Sequence, residues 1–412
     1  MIIWQVIPIV LGSIGVVLAF FFVLKSSSYF QIALAGLMFT ASFAIFGSMF
    51  FPWVFVPGIV SWIFLYIVFF FICEQKKESV VLNGSAFFFS TIGLMSILLH
   101  REFILEFSLM LLQPKACDSS VVTVHSRIPL PSDTPELYES ILVLADGSFV
   151  VTAATRGEVI LIREGKEPRV LAKLPTGSFN LANFNGMLSG ITLGLDGEIY
   201  TMVLASEPAN RGIWRIDAEG GAKLWSSFPP SSSGNGMTSD ESGNVYVADS
   251  KLGLIWKVGP LGGKPQIWAE HEFLGAGHRL PLPTANGIKL SKGAVFVSNT
   301  LQSQLVRVQI NKDGGAGLLE VWDSGIAADD FAIDGRERVY LTTHPFNTVV
   351  QLEKNKACEI IADTSIGLAG PTAAIFGLGA DSDSILYVLN DGGYSRSVEG
   401  GRPSIIGLKL EN

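Results

Sequence analysis

Six positions in the C-terminal part of this chain share one context and differ in chemistry: Glu139, Ser189, Asn235, Asn286, Asp329 and Pro371. Each opens a copy of one pattern: a polar residue, an apolar stretch, a turn at or near a Gly, then a β-rich run. The clearest copy is 235–249, Asn-Gly-Met-Thr-Ser-Asp-Glu-Ser-Gly-Asn-Val-Tyr-Val-Ala-Asp. Set in a ring, the first residues converge on one axis and bring two carboxylates and two amide oxygens to one point. Calcium collects about six to eight oxygen ligands of this kind. Glu139, Asn286 and Asp329 are the candidate metal ligands, with Asn235 beside them and water or substrate completing the shell. Taken singly, each is an ordinary turn residue, since Asn-Gly and Asp commonly end loops. Register argues for more. Glu139, Ser189 and Asn235 each stand eight residues before a Gly (Gly147, Gly197, Gly243), and Asn286 stands seven before Gly293. Asp329 aligns through its downstream Val339-Tyr340-Leu341.

The elements that must carry these residues are short strands. The six positions are 50, 46, 51, 43 and 42 residues apart, the period of propeller blades built from four strands. Within the copies, Val245-Tyr246-Val247 is followed by Leu254-Ile255-Trp256-Lys257-Val258, and Val295-Phe296-Val297 by Leu305-Val306-Arg307-Val308. These are alternating or fully apolar strands bounded by Gly, Asn, Asp and Ser. Six copies predict six blades over residues 114–412. The runs Val121-Val122-Thr123-Val124 and Ile405-Ile406-Gly407-Leu408-Lys409-Leu410 are placed to share the last sheet and remove an exposed edge. Asp249, Asn299 and Thr343, which end second strands, are expected to bond backbone groups between strands.

Residues from about 120 to 410 resemble the senescence-marker-protein/gluconolactonase family of six-bladed propellers. The segments that carry the likeness are Tyr138-Glu139-Ser140-Ile141, Gly234-Asn235-Gly236-Met237, Ala285-Asn286-Gly287-Ile288 and Ala328-Asp329-Asp330-Phe331-Ala332-Ile333-Asp334. The resemblance implies a divalent metal, most often Ca2+, held by Glu139, Asn286 and Asp329. It implies that Asn235 helps bind metal or substrate and that Asp329 also serves as general base. The family commonly has Gly where this chain has Asp330, whose added carboxylate joins the metal, meets the substrate or turns away. The implied reaction is hydrolysis of a small lactone or ester. The alternative is a non-catalytic propeller that displays a ligand-binding or interaction surface at a membrane. A metal-free enzyme of the strictosidine-synthase type shares the architecture, and the Glu/Asn/Asn/Asp set argues against it. His278 and His344 are assigned to loop packing or surface.

Residues 1–113 have a different character. Four apolar stretches, near 2–24, 29–51, 53–73 and 80–99, each approach the ~20 residues that cross a bilayer as a helix. They predict a transmembrane region of about four helices, outside the resemblance. No Asp, Glu, Lys, Arg or His lies in the middle of a stretch, which favours anchoring over transport. Lys25, Lys76 and Lys77 in the first and third loops outnumber Arg101 and Lys115 opposite. The imbalance places those loops in the cytoplasm and the propeller on the extracytoplasmic side. The first 112 residues hold four basic and four acidic residues, so the remainder holds 25 and 33 and carries the whole net charge of −8. That acidity excludes nucleic acid as a partner; a bilayer and a small molecule are the partners expected. Cys73, Cys117 and Cys358 form no metal-binding spacing, and Cys117 and Cys358 are either paired or free.

Overall fold

The computed structural model describes residues 115–131, 136–180, 185–275, 277, 283–379, 384–393 and 401–410. The four expected membrane helices and His278 lie outside the described residues. Among the described residues no helix is long and apolar enough to cross a membrane.

The described chain forms six β-sheets, a six-bladed all-β propeller. Blade 1 is Tyr138–Val143, Phe149–Ala153, Glu158–Ile162 and Arg169–Lys173. Blade 2 is Met187–Leu193, Ile199–Leu204, Gly212–Ile216 and Ala222–Ser227, and blade 3 is Gly234–Ser239, Val245–Asp249, Leu254–Val258 and Gln266–Glu270. Blade 4 is Ala285–Ser291, Ala294–Asn299, Gln304–Ile310 and Ala316–Ser324. Blade 5 is Phe331–Ile333, Val339–Thr343, Thr348–Leu352 and Glu359–Ala362, with Asp118–Ser119 added in parallel at its outer edge. Blade 6 is Pro371–Phe376, Ile385–Asn390 and Ser404–Lys409, completed by Thr123–Pro129, which pairs antiparallel with Ser404–Lys409. The ring thus closes by exchange between the two ends of the propeller, as expected from the edge it removes.

The apolar faces of these sheets are buried against one another, so the core is distributed. Five of six buried clusters join two neighbouring blades, and the sixth reaches from blades 2 and 3 to Leu137 and Ala154 beside blade 1. Blade 6 meets blade 1 through Leu389, Ile405 and Tyr138, for example. The turn glycines that set the repeat register, Gly147, Gly197, Gly243 and Gly293, have φ of 79°, 74°, 79° and 73°. This left-handed conformation favours glycine. Asp249, Asn299 and Thr343 bond backbone as expected: Asp249 accepts from Ser233 N at 3.0 Å, and Asn299 donates to Phe273 O at 2.9 Å. Thr343 donates to Thr348 O at 3.0 Å.

Cys117 and Cys358 are bonded as a disulfide. It fastens the segment that enters the propeller to the outer strand of blade 5. Lys115 adds an ion pair with Asp323 at 2.5 Å at the outer strand of blade 4.

Candidate functional site

The six repeat-start residues lie inside or directly before the innermost strands, and most occupy a β-bulge. The pairing of first and second strands shifts between Tyr138 and Ile141, Leu188 and Ile191, Gly234 and Met237, and Ala285 and Ile288. Glu139, Ser189, Asn235 and Asn286 are each the first residue of the extra pair. A bulge bends the strand and re-aims its side chain, so the repeat-start residues leave the alternation that buries their neighbours between blades. In blade 5, Asp329 and Asp330 precede the strand. They are tied to the second strand by Asp329 N to Thr342 O and Thr342 N to Asp330 O, at 2.8 and 2.9 Å.

Hydroxyls on the second strands hold the bulges. Ser298 accepts from Gly287 N at 2.8 Å and donates to Asp329 O of the next blade at 2.8 Å. Thr152 accepts from Ser140 N at 3.0 Å and donates to Ser189 O at 3.3 Å. Thr342 accepts from Asp330 N at 3.1 Å. Thr152 and Ser298 each satisfy their own bulge and reach the repeat start of the next blade, and Thr342 holds Asp330 just before its strand. Gly287 leaves room for this contact: a Cβ there would lie 2.4 Å from Asp330 Oδ1 and 3.0 Å from Asp329 O.

Glu139, Asn235, Asn286, Asp329 and Asp330 line one pocket on the channel, and Lys289 lines it too. Its free volume is about 20 Å³, enough for the ~10–15 Å³ that one water requires. Asn286 Nδ2 donates to Asp329 Oδ1 at 2.7 Å and to Thr300 Oγ1 at 2.9 Å. Thr300 spends its own proton on Ala328 O at 2.7 Å, which fixes the amide nitrogen on that side and leaves the amide oxygen to the pocket. Asp330 is gripped by Lys289 Nζ at 2.6 and 2.7 Å, so its carboxylate is engaged within the protein. Ser189 donates to Gly234 O at 2.8 Å and Thr372 to Tyr138 O at 2.6 Å; blades 2 and 6 contribute scaffold at this register.

Two further residues adjoin the site through Asp329. His344, which the sequence reading assigned to loop packing or surface, is mostly buried, with Nδ1 4.0 Å from Asp329 Oδ2 and Nε2 2.9 Å from Asp391 Oδ2. Asp391 was not singled out at all. A signal for both existed. The residue following the second strand in blades 3 to 6 is Ser250, Thr300, His344 and Asp391, a second polar register beside the first. Lys289 was also missed, although it is the charged residue in an otherwise uncharged innermost strand.

Burial and then the nearby Asp329 push the Glu139 carboxyl up to about 8. Burial raises Asp329 to about 6 against the opposing pull of His344. Burial would lower His344, but the hydrogen bond and charge of Asp391, with Asp329 and Glu139, raise it to about 9. Four carboxylates, Glu139, Asp329, Asp330 and Asp391, meet two cations, Lys289 and His344. When all are ionised, two negative charges are unmatched. Among the described residues no three His, Cys, Asp or Glu side chains make a metal cage by themselves. An ion at this point draws on amide oxygens as well, and Asn286 presents one.

No family model matches the chain, and no curated protein sequence matches it. Solved structures do. A calcium-binding protein, regucalcin, from Agrobacterium tumefaciens superposes with a TM-score of 0.54 at 17% identity, covering 71% of this chain and 96% of its own. A gluconolactonase from Xanthomonas campestris gives 0.51 at 15% identity, covering 72% and 96%. The fold is that of the gluconolactonase/regucalcin-like six-bladed propellers. The PQQ-bound aldose sugar dehydrogenase of Streptomyces coelicolor gives 0.50 at 14% identity, covering 72% and 100%. One architecture thus carries proteins of different chemistry, and function has to be argued from the site.

Proposed function

We propose that the channel-mouth pocket binds a divalent metal ion and that the protein is a membrane-anchored hydrolase of small lactones or esters. The observation that carries this reading is the excess of carboxylates over cations, four against two, around the pocket that Glu139, Asn286 and Asp329 line. Buried charge of one sign is costly unless it is paired or coordinates a cation, and one divalent ion neutralises this excess. Glu139, Asn286 and Asp329 would hold the ion, with Asn235 beside them toward substrate. A divalent cation bound here supplies Lewis-acid polarisation of a carbonyl and a lowered water pKa. Asp329 would accept the water proton at a carboxylate oxygen. Asp330 is neutralised by Lys289, so the pair presents a polar wall without net charge to an uncharged lactone.

The anchoring half of the proposal rests on the apolar stretches of residues 1–113 and the basic residues of their loops. The Cys117–Cys358 disulfide supports an extracytoplasmic propeller, because such bonds persist in oxidising compartments. The small free volume favours a second reading, in which an ion is held without turnover and the propeller serves as a binding module.

The deciding experiment assays hydrolysis of a panel of small lactones and aryl esters by the full chain, with chelator and with metal restored. Turnover should vanish with chelator, return with a divalent ion, and fall by at least about 100-fold in Asp329→Asn, on the scale expected for losing a positioned proton acceptor. Metal binding without turnover of any ester or lactone selects the binding-module reading. Turnover untouched by both chelator and Asp329→Asn overturns the metal-hydrolase reading.

A further inference from the structure

We propose that the Lys289–Asp330 pair sets the charge specificity of the pocket: the intact pair admits uncharged lactones and esters, and each partner cancels the effect of the other on a charged one. Without Asp330, Lys289 becomes a hook for a substrate carboxylate. Without Lys289, Asp330 turns substrate anions away. The inference rests on the hydrolase reading above and adds the residues that choose among its substrates.

The position of the pair carries it. Lys289 of blade 4 and Asp330, just before blade 5, line the same pocket as Glu139, Asn286 and Asp329. Among the described residues that line it, Lys289 is the one basic side chain. Asp330 directly follows Asp329 in the chain. Its Oδ1 lies so near Gly287, the neighbour of Asn286, that a Cβ there would stand 2.4 Å from it. A group bound at Asn286 and Asp329 therefore lies inside the ~8 Å over which physiological salt screens a charge. It feels both members of the pair without having to touch either.

The two charges are spent on each other. Lys289 Nζ donates to both oxygens of Asp330, at 2.6 and 2.7 Å. It also lies 5.7 Å from the centroid of the Phe331 ring, within the range of a cation–π contact. Asp330 is fixed through its backbone: its N donates to Thr342 Oγ1 at 3.1 Å, and its O accepts from Thr342 N at 2.9 Å. The side chains of Lys289 and Asp330 keep only 29% and 16% of their exposure.

A substrate carboxylate entering this pocket would leave water and find the ammonium that lines it already engaged. Burying an unpaired charge is costly, and an uncharged lactone escapes that cost. An apolar contact of like volume would join blades 4 and 5 as well as an ion pair does. What the two charges add is a field in the pocket, balanced while both are present and of opposite sign when either is removed.

The test uses the full chain with Ca2+, Mg2+ and Mn2+ added in turn. The probes are two pairs of matched shape that differ by one negative charge. One pair is para-nitrophenyl isocaproate and mono-para-nitrophenyl succinate; the other is γ-butyrolactone bearing isopropyl or carboxylate at the γ carbon. The readout is the ratio of kcat/KM for the neutral member to that for the anionic member. Wild type should favour the neutral member by at least about ten-fold. Asp330→Asn and Asp330→Gly should each move the ratio toward the anion by about ten-fold or more, and Lys289→Met should move it the other way by a similar factor. The double variant Lys289→Met/Asp330→Asn should return to within about three-fold of the wild-type ratio, a reversal that lost packing does not produce. Because both substrates meet the same preparation, the ratio does not depend on the fraction of each variant that folds, and either Asp330 variant suffices. A ratio that stays at the wild-type value in the Asp330 and Lys289 variants overturns the inference and leaves the hydrolase reading standing. Turnover of neither pair by the wild-type chain with any of the ions overturns both.

Discussion

At the scale of single residues, the site is a cluster of charges that the folded chain tolerates poorly without a counter-ion. Glu139 is held up at about 8 and Asp329 at about 6, each first by burial. Replacing Glu139 by Gln keeps the shape and removes one of the unmatched charges. We expect Glu139→Gln to stabilise the metal-free protein at pH 9 by about 1–3 kcal/mol, the scale of one uncompensated buried charge, while abolishing metal-induced stabilisation. Thermal unfolding with and without metal measures both, and a destabilised metal-free variant would contradict the charge argument. The same groups give a pH dependence with a definite sign. Between their ordinary values and about 8, 6 and 9, Glu139, Asp329 and His344 hold protons in the folded chain that the unfolded chain has released. Where the folded state binds more protons, stability falls as pH rises. The contribution of His344 is complete below about 6.5 and is lost as pH passes about 9. Metal-free protein should therefore lose stability from pH 5 to pH 9, by up to about 1.4 kcal/mol per pH unit for each extra proton, and bound metal should flatten the curve. A metal-free Tm that rises over this range would reverse the assignment.

At the scale of elements, the bulge and its hydroxyl are the working unit. Ser298 satisfies Gly287 N and reaches Asp329 O, so one hydroxyl positions the backbone beside Asn286 and that of Asp329. Ser298→Ala should cost about 1–3 kcal/mol by leaving buried groups unpaired, and should also weaken metal binding. Thr201→Val is the control. Thr201 donates to Gly190 O at 3.0 Å in blade 2, where Ser189 at the repeat start serves as scaffold. It should cost similar stability and leave metal affinity unchanged, as calorimetric titration of the two variants would show. This scale also marks how far the sequence could be read. Strand repeats and blade number were legible because the turn glycines recur, a backbone requirement that repeats with the fold. The repeat-start residues were legible because they keep register with those glycines. The bulges were not, because an extra residue in a strand leaves only a hint, the small residue after Ser189, Asn235 and Asn286. His344, Asp391 and Lys289 escaped for a related reason. Each acts through a partner on another blade, more than 40 residues away, and for His344 and Asp391 the sequence carries only the polar register after the second strands.

At the scale of the whole molecule, ring closure and site assembly are one event. Glu139 comes from blade 1, Asn286 from blade 4, Asp329 and His344 from blade 5, and Asp391 from blade 6. The junction between blades 6 and 1 is made by Thr123–Pro129 lying against Ser404–Lys409, so Glu139 and Asp391 face each other only in a closed ring. The disulfide acts elsewhere. It joins positions 241 residues apart at the outer edge of blade 5, where it shortens the free loop of the unfolded chain and touches no residue of the pocket. Two lesions near the same end of the propeller should therefore separate. Cys358→Ser should lower stability by about 2–4 kcal/mol, the usual worth of such a bond, and leave metal affinity at 25 °C unchanged. Placing Pro at Ile128, which is paired with Ile405 in the closing strand and stands in the same hydrogen-bonding register as Leu130, whose N donates to Pro403 O, removes a ladder donor and should reduce metal affinity together with stability. Saturating metal at about 100 times its Kd adds about 2.7 kcal/mol to a folded state that binds it, so it should restore much of the thermal loss in Cys358→Ser. It should restore less in Ile128→Pro, because the state that unfolds there has already opened the ring that holds the ligands. Equal rescue of the two variants would show that the ligand set forms without closure.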